Sequence, residues 1–87
     1  MAIQKMIEQG TLVVDVRTAK EFAAGHYNGA VNIPLDDIKK RINEFGDKNR
    51  TVIVYCRTGR RSGIAKKILE EHGYKKVINY GGLKDMP

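Results

Sequence analysis

Two short β-branched runs, each followed within a few residues by a helical pattern, constrain this chain more than any other feature. They are T-L-V-V-D-V (11–16) and T-V-I-V-Y (51–55). A strand with one wet face alternates apolar and polar residues, whereas one that is apolar throughout is buried on both faces. Helical patterns surround both runs. Ile3, Met6 and Ile7, within residues 2–9, form an i, i+3, i+4 stripe stopped by Gly10. Thr18 and Glu21 have capping-box spacing and open a short helix closed by Gly25. Residues 30–33 read as a brief extended segment, because Pro34 biases Ile33 away from helix. Leu35, Ile38, Ile42 and Phe45 supply the stripe of a helix ending near Gly46. From Ser62 to His72, Ile64, Ala65, Ile68 and Leu69 share one helical face, and Gly73 is the stop. Residues 76–80 form a last short strand before Gly81 and Gly82. Strands separated by helices predict an α/β fold with a mostly parallel sheet covered on both faces. Ligands of such sheets bind outside the carboxyl ends of the strands. Two places qualify: Asp15 to Arg17, and Cys56 onward.

Composition narrows the function. A chain of 87 residues is one domain, spanning 1–87. The net charge of +6 raises the question of nucleic acid. However, Lys39 and Lys40 lie near Asp36 and Asp37, and Lys66 and Lys67 near Glu70 and Glu71, the mixture of a solvated helix face. Aromatic residues are few and not interleaved with basic ones, so no stacking platform and no nucleic-acid partner is expected. No apolar run reaches the ~18 residues of a membrane span, and no membrane partner is expected. No basic-then-apolar leader stands at the start. A single cysteine leaves no internal disulfide and no multi-cysteine metal site. The one local excess of charge without acids is Arg57, Arg60 and Arg61, beside that cysteine.

The strand at 51–55 runs directly into C-R-T-G-R-R-S (56–62), with a helix at the far end. In this layout the backbone N–H groups of 57–62 curl around a point above the Cys56 sulfur. The helix N-terminus adds partial positive charge, and successive inward N–H groups make an anion-binding nest. Gly59 allows a turn with φ > 0. A helix terminus and neighbouring arginines lower a thiol pKa from ~8.5 toward ~3.5–7.5. The loop is therefore suited to attack by a Cys56 thiolate on an anionic substrate, and to storage of a charged sulfur product. A loop that grips a phosphoryl group in tyrosine-phosphatase fashion needs Cys, five residues, then Arg. Here Ser62 holds that position and Arg61 comes one residue early. The loop also offers no general acid for a phosphomonoester leaving group, whereas sulfite leaving thiosulfate needs no proton. Sulfur transfer fits better.

Three segments then resemble one family over nearly the whole chain. D-V-R-T-A-K-E-F-A-A-G-H-Y-N-G-A-V-N-I-P (15–34) is similar to the amino-terminal signature of rhodanese domains. Y-C-R-T-G-R-R-S (55–62) is similar to their active-site loop, and G-G-L-K-D (81–85) to their carboxy-terminal signature. The short form is most similar to the small bacterial phage-shock-protein-E type. The resemblance implies a rhodanese-like three-layer fold with four to five strands, the usual first strand before the opening helix being absent. It implies a ping-pong thiosulfate sulfurtransferase in which Cys56 takes sulfur from thiosulfate, or another small donor, as a persulfide and passes it to cyanide or a thiol. Carried over by position, Cys56 is the catalytic nucleophile. Arg57, Thr58, Gly59, Arg60 and Arg61 form the substrate and persulfide cradle, and Ser62 closes it at the helix start. Asp15 and Arg17 are structural support beside the loop, and the Gly81-Gly82 turn closes one wall. No metal or organic cofactor is implied. A monomer is expected, in the periplasm, with its leader absent from this chain.

His26 reads as a hydrogen-bonded packing residue rather than a base. His72 complements the dipole at the end of its helix. Two alternatives to the enzyme stand beside it. One is a persulfide carrier or interaction module serving a partner protein; the other is a phosphatase or arsenate reductase of related loop design.

Overall fold

The β-branched runs are the two central strands of a four-stranded sheet. The computed structural model describes residues 2–87. Its strands are β1 (Leu12–Asp15), β2 (Val31–Asn32), β3 (Thr51–Cys56) and β4 (Lys76–Gly82), in the order β2-β1-β3-β4, with every adjacent pair parallel. Three α-helices accompany them: α1 (Ala2–Glu8), α2 (Ala19–Ala24) and α3 (Arg60–Glu71). Parallel strands need crossover connections, and these connections cover the sheet and bury its centre.

Alternate residues of the central strands feed two separate cores, which is why both runs are apolar at nearly every position. Val14, Val52, Val54 and Cys56 face one way and pack with Ile33, Ile38, Phe45, Ala65, Leu69, Tyr74 and Val77. Val13, Ile53 and Tyr55 face the other way, where Ile3 of α1 closes over them with Met6, Ile7, Tyr27 and Leu83. Every residue of β3 after Thr51 is buried.

The segment expected to form one helix over 35–45 is instead two 3-10 turns, Leu35–Asp37 and Ile42–Phe45. The apolar spacing accommodates both forms. Leu35 and Ile38 are three residues apart, as are Ile42 and Phe45, and residues at i and i+3 eclipse on one face of a 3-10 turn. The backbone follows: Asp37 N–H donates to Pro34 O at 2.8 Å and Glu44 N–H to Arg41 O at 2.9 Å. The Tyr74 hydroxyl closes the second turn by donating to Gly46 O at 2.8 Å.

Two boundaries shift in ways that matter to the site. Helix α3 begins at Arg60, two residues before the expected start at Ser62. Strand β4 continues to Gly82, which a register shift brings opposite Cys56. The chain leaves β1 for edge strand β2, then returns past β1 to β3 on its other side. That reversal opens the crevice at the carboxyl ends of β1 and β3 where α/β sheets place ligands. Among the described residues, no helix is long and apolar enough to cross a membrane.

Phe45 is fully buried and pins the second 3-10 turn beneath the sheet. Phe45→Ala is expected to cost about 3–5 kcal/mol, read from the urea midpoint. A loss below ~1 kcal/mol would show that this turn is not held by its core contact.

Candidate active site

Cys56 is the last residue of β3, and its side chain is wholly buried at the bottom of the loop. The loop folds back over it. Gly59, with φ +97°, is the cap residue of α3 and turns its N–H inward, donating to Cys56 Sγ at 3.0 Å. The Ser62 hydroxyl, in the first turn of α3, reaches the same sulfur at 3.4 Å. Burial pushes the thiol up. The Ser62 hydroxyl and the N–H groups of Ser62, Thr58 and Gly59 outweigh it and bring Cys56 from 9.0 down to about 7.

The wall of the loop is the end of β4. A side chain at Gly82 would collide with the carbonyl oxygen of Arg57, so only glycine lets the strand come this close. Asp85 Oδ2 accepts the Gly82 N–H at 2.8 Å and holds the turn shut.

Beside the loop, Asp15 and Arg17 form a buried pair at the end of β1. Arg17 Nη2 donates to Asp15 Oδ2 at 2.6 Å and to Gly25 O at 2.7 Å. The Tyr55 hydroxyl donates to the same Asp15 oxygen at 2.8 Å and accepts the Tyr27 N–H at 3.0 Å. Burial, with Asp15 next to it, pushes the Tyr55 phenol up to about 12. Asp15 lies opposite Tyr55 in the sheet register, so the network ties β1 to β3 one residue below Cys56.

Above these groups lies a cleft of about 580 Å³, lined by Arg17, Glu21, Ala24, Arg57, Thr58, Leu83 and Lys84. The arginines divide. Arg57 is exposed and lines the cleft, whereas Arg60 is exposed outside it. Arg61 donates from Nη1 and Nη2 to the two carboxylate oxygens of Glu21, at 2.7 and 3.1 Å. The Arg61 guanidinium, with help from Thr18, holds the Glu21 carboxyl down at about 2.

Residues 2–86 match the family described as Rhodanese-like domain. The chain belongs to the rhodanese-like family of sulfurtransferases. It is 53% identical over 74 residues to thiosulfate sulfurtransferase PspE of Escherichia coli K12, covering 84% of this chain and 71% of that one. A sulfurtransferase of Allochromatium vinosum is 39% identical over 74 residues, covering 85% of this chain and 68% of that one. Among solved structures, a rhodanese with anions from E. coli superposes with a TM-score of 0.83 at 50% identity, covering 88% of this chain and 92% of that one.

Against the rhodanese-type expectation, the structure brings Cys56, Arg57, Thr58, Gly59 and Ser62 together, and sets Asp15 and Arg17 beneath them as a buried pair. The Arg60 side chain faces solvent, and that of Arg61 is engaged by Glu21 of α2. His26 stacks on Phe22 with ring centroids 3.6 Å apart and donates from Nδ1 to Phe22 O at 2.8 Å, as a packing residue does. His72 likewise donates from Nδ1 to Ile68 O at 2.9 Å. Sequence reasoning missed Glu21 as a partner of the loop, Leu83 and Lys84 as cleft walls, and Asn79. The Glu21 capping box gave no hint of its second role, and only the G-G-L-K-D signature touched the cleft wall.

The ionisation of Cys56 is directly measurable, because no other thiol is present. Ultraviolet absorbance of the thiolate is expected to rise with a midpoint at about 7 instead of 9.0. Since the folded value is the lower one, the linked stabilisation is complete above 9.0 and lost as pH falls through about 7. A midpoint near 9 would show that the loop donors do not compensate for burial.

Proposed function

We propose that the protein moves the sulfane sulfur of thiosulfate to cyanide or a thiol acceptor through a persulfide on Cys56. The observation that carries this reading is the single thiol at the strand end, buried beneath inward N–H groups and next to a cationic cleft. Similarity to PspE supports thiosulfate as the donor.

Thiosulfate enters the cleft past Arg57 and Lys84, the two lining cations that no carboxylate engages among the described residues. The Cys56 thiolate attacks the outer sulfur. A new S–S bond forms, the old one breaks, and sulfite leaves with its electron pair. The terminal persulfide sulfur carries negative charge, which the N–H groups of the loop stabilise as they do the thiolate. Cyanide or a thiolate acceptor then attacks that terminal sulfur, and the Cys56 thiolate leaves. No proton has to be delivered to either leaving group. Asp15 and Arg17 act as scaffold, since both Asp15 oxygens and Arg17 Nε and Nη2 are committed to each other, to Tyr55 and to Gly25. The smaller size of cyanide relative to the cleft leaves space for a larger thiol as acceptor. The reading includes a periplasmic location and a monomer, supported by resemblance to the phage-shock-protein-E type and by a sequence that needs no partner to supply the nucleophile.

Intact-mass spectrometry after incubation with thiosulfate is expected to show one added sulfur, which cyanide removes. Cys56→Ser should add none. Sulfur loading without discharge to cyanide would point instead to a carrier that hands sulfur to a partner protein. Absence of any adduct on the wild type would sink the reading. Arg57→Ala is expected to raise the KM for thiosulfate about tenfold, the worth of one charge-assisted contact, with little loss of stability. An unchanged KM would remove Arg57 from donor binding.

A further inference from the structure

The Ser62 hydroxyl has one proton and two acceptors within reach. Its Oγ lies 2.7 Å from Asn79 Oδ1 and 3.4 Å from Cys56 Sγ. The Asn79 amide cannot turn over to relieve this competition. Its Nδ2 donates to Gly59 O at 3.1 Å, a group that only accepts. Its Oδ1 accepts the Gly81 N–H at 3.0 Å, a group that only donates. The flipped amide would set N–H against N–H and oxygen against oxygen. Two backbone groups therefore aim Oδ1 at Ser62, and the hydroxyl proton goes to the shorter contact.

We propose that Asn79 is a positioning residue for the sulfur-transfer reaction, which competes with the Cys56 sulfur for the single Ser62 proton and so limits how far that hydroxyl stabilises the thiolate. This rests on the reading of Cys56 as the nucleophile. When Cys56 ionises, the sulfur draws on the hydroxyl, and what it gains Asn79 loses. The restraint has a chemical use. Lowering a thiol pKa weakens the nucleophilicity of its thiolate, with a Brønsted slope of ~0.4–0.5, so the best attacking thiol titrates near ambient pH. The backbone N–H groups already favour the thiolate, and an unopposed hydroxyl would carry it past that optimum.

Arg57, Arg60 and Arg61 follow the sulfur on the loop, Asp15, Arg17 and Tyr55 lie at the strand ends beside it, and Glu21, Lys84 and Asp85 border the cleft or its wall. None of them hydrogen-bonds to Asn79, whose partners are Ser62, Gly59 and Gly81. Replacing Asn79 by alanine leaves that set of charges unchanged. Asn79 is also exposed on an edge strand, where substitution is tolerated by the fold.

The test titrates thiolate absorbance in the full chain for the wild type, Asn79→Ala and Asn79→Asp, each with and without Ser62→Ala. Asn79→Asp adds a negative charge that raises the Cys56 midpoint by itself, so the deciding comparison is Asn79→Ala with and without Ser62→Ala. A mere clamp on the loop would shift Asn79→Ala equally in both backgrounds. Competition for the proton instead predicts that Asn79→Ala lowers the Cys56 midpoint by about one unit while Ser62 is present. The shift from Asn79→Ala should vanish when Ser62 is alanine. Above both midpoints, iodoacetamide should alkylate Asn79→Ala about threefold more slowly than the wild type. A midpoint in Asn79→Ala at or above that of the wild type would overturn the proposal. So would an equal decrease in the Ser62→Ala background. No sulfur donor is used, so failure here is distinguishable from failure of Cys56 to load sulfur.

Discussion

The site depends first on one buried carboxylate. Asp15 is entirely removed from water, and an unpaired charge there would be prohibitively costly. Its oxygens are satisfied by the Arg17 guanidinium, the Arg17 N–H and the Tyr55 hydroxyl, and Tyr55 also accepts from the backbone of Tyr27. Through this network separate pieces of chain are tied to the end of β1. The segment after α2 is held through Gly25 and Tyr27, and the end of β3 through Tyr55. Cys56 follows Tyr55 directly, so its position is set by this network before the loop contributes anything. A buried ion pair is a weak source of net stability. Here it acts as a fixed corner, because satisfying Asp15 permits little freedom in where β1 and β3 end.

From that corner the loop is closed by a second constraint, the approach of β4. Gly82 lies against the Arg57 carbonyl, where no side chain fits, and Asn79 reaches across to Gly59 and Ser62. The cradle is therefore shared between two strands. The helix end and loop supply the N–H groups, and β4 fixes the residues that carry them. This explains why the strand runs on to Gly82 through a register irregularity instead of stopping at Tyr80.

How much of this could be read in the sequence follows from the range of the interactions. The central strands were legible because burial on both faces leaves near-continuous apolar runs. The capping box of α2 and the loop 56–62 were legible because each is contiguous. Residues 35–45 were misread because a 3-4-3 apolar spacing suits an α-helix and a pair of 3-10 turns alike, and only the backbone hydrogen bonds separate them. The Glu21–Arg61 pair spans 40 positions, and Glu21 already had a sufficient explanation in Thr18. Asn79 carries no signal of its own within the short strand read at 76–80. Its amide matters only because Gly59, Ser62 and Gly81 converge on it, and nothing local announces that.

The same distinction between local count and spatial partner decides what the arginines do. Three of them beside one cysteine suggest that their charge lowers the thiol pKa. Yet Glu21 neutralises Arg61 and Asp15 neutralises Arg17, while Arg57 and Arg60 are exposed, where water and salt screen their field within about 10 Å. The largest influences that favour the Cys56 thiolate are instead the Ser62 hydroxyl and the N–H groups of Ser62, Thr58 and Gly59. A hydrogen bond works at contact and comes here from groups fixed around the buried sulfur. A screened surface charge does not hold a thiolate at contact, but it can draw an anion into a cleft. On the proposed reading, ionisation of the sulfur and capture of its substrate thus fall to different groups: backbone and hydroxyl donors for the first, the exposed cations at the cleft for the second.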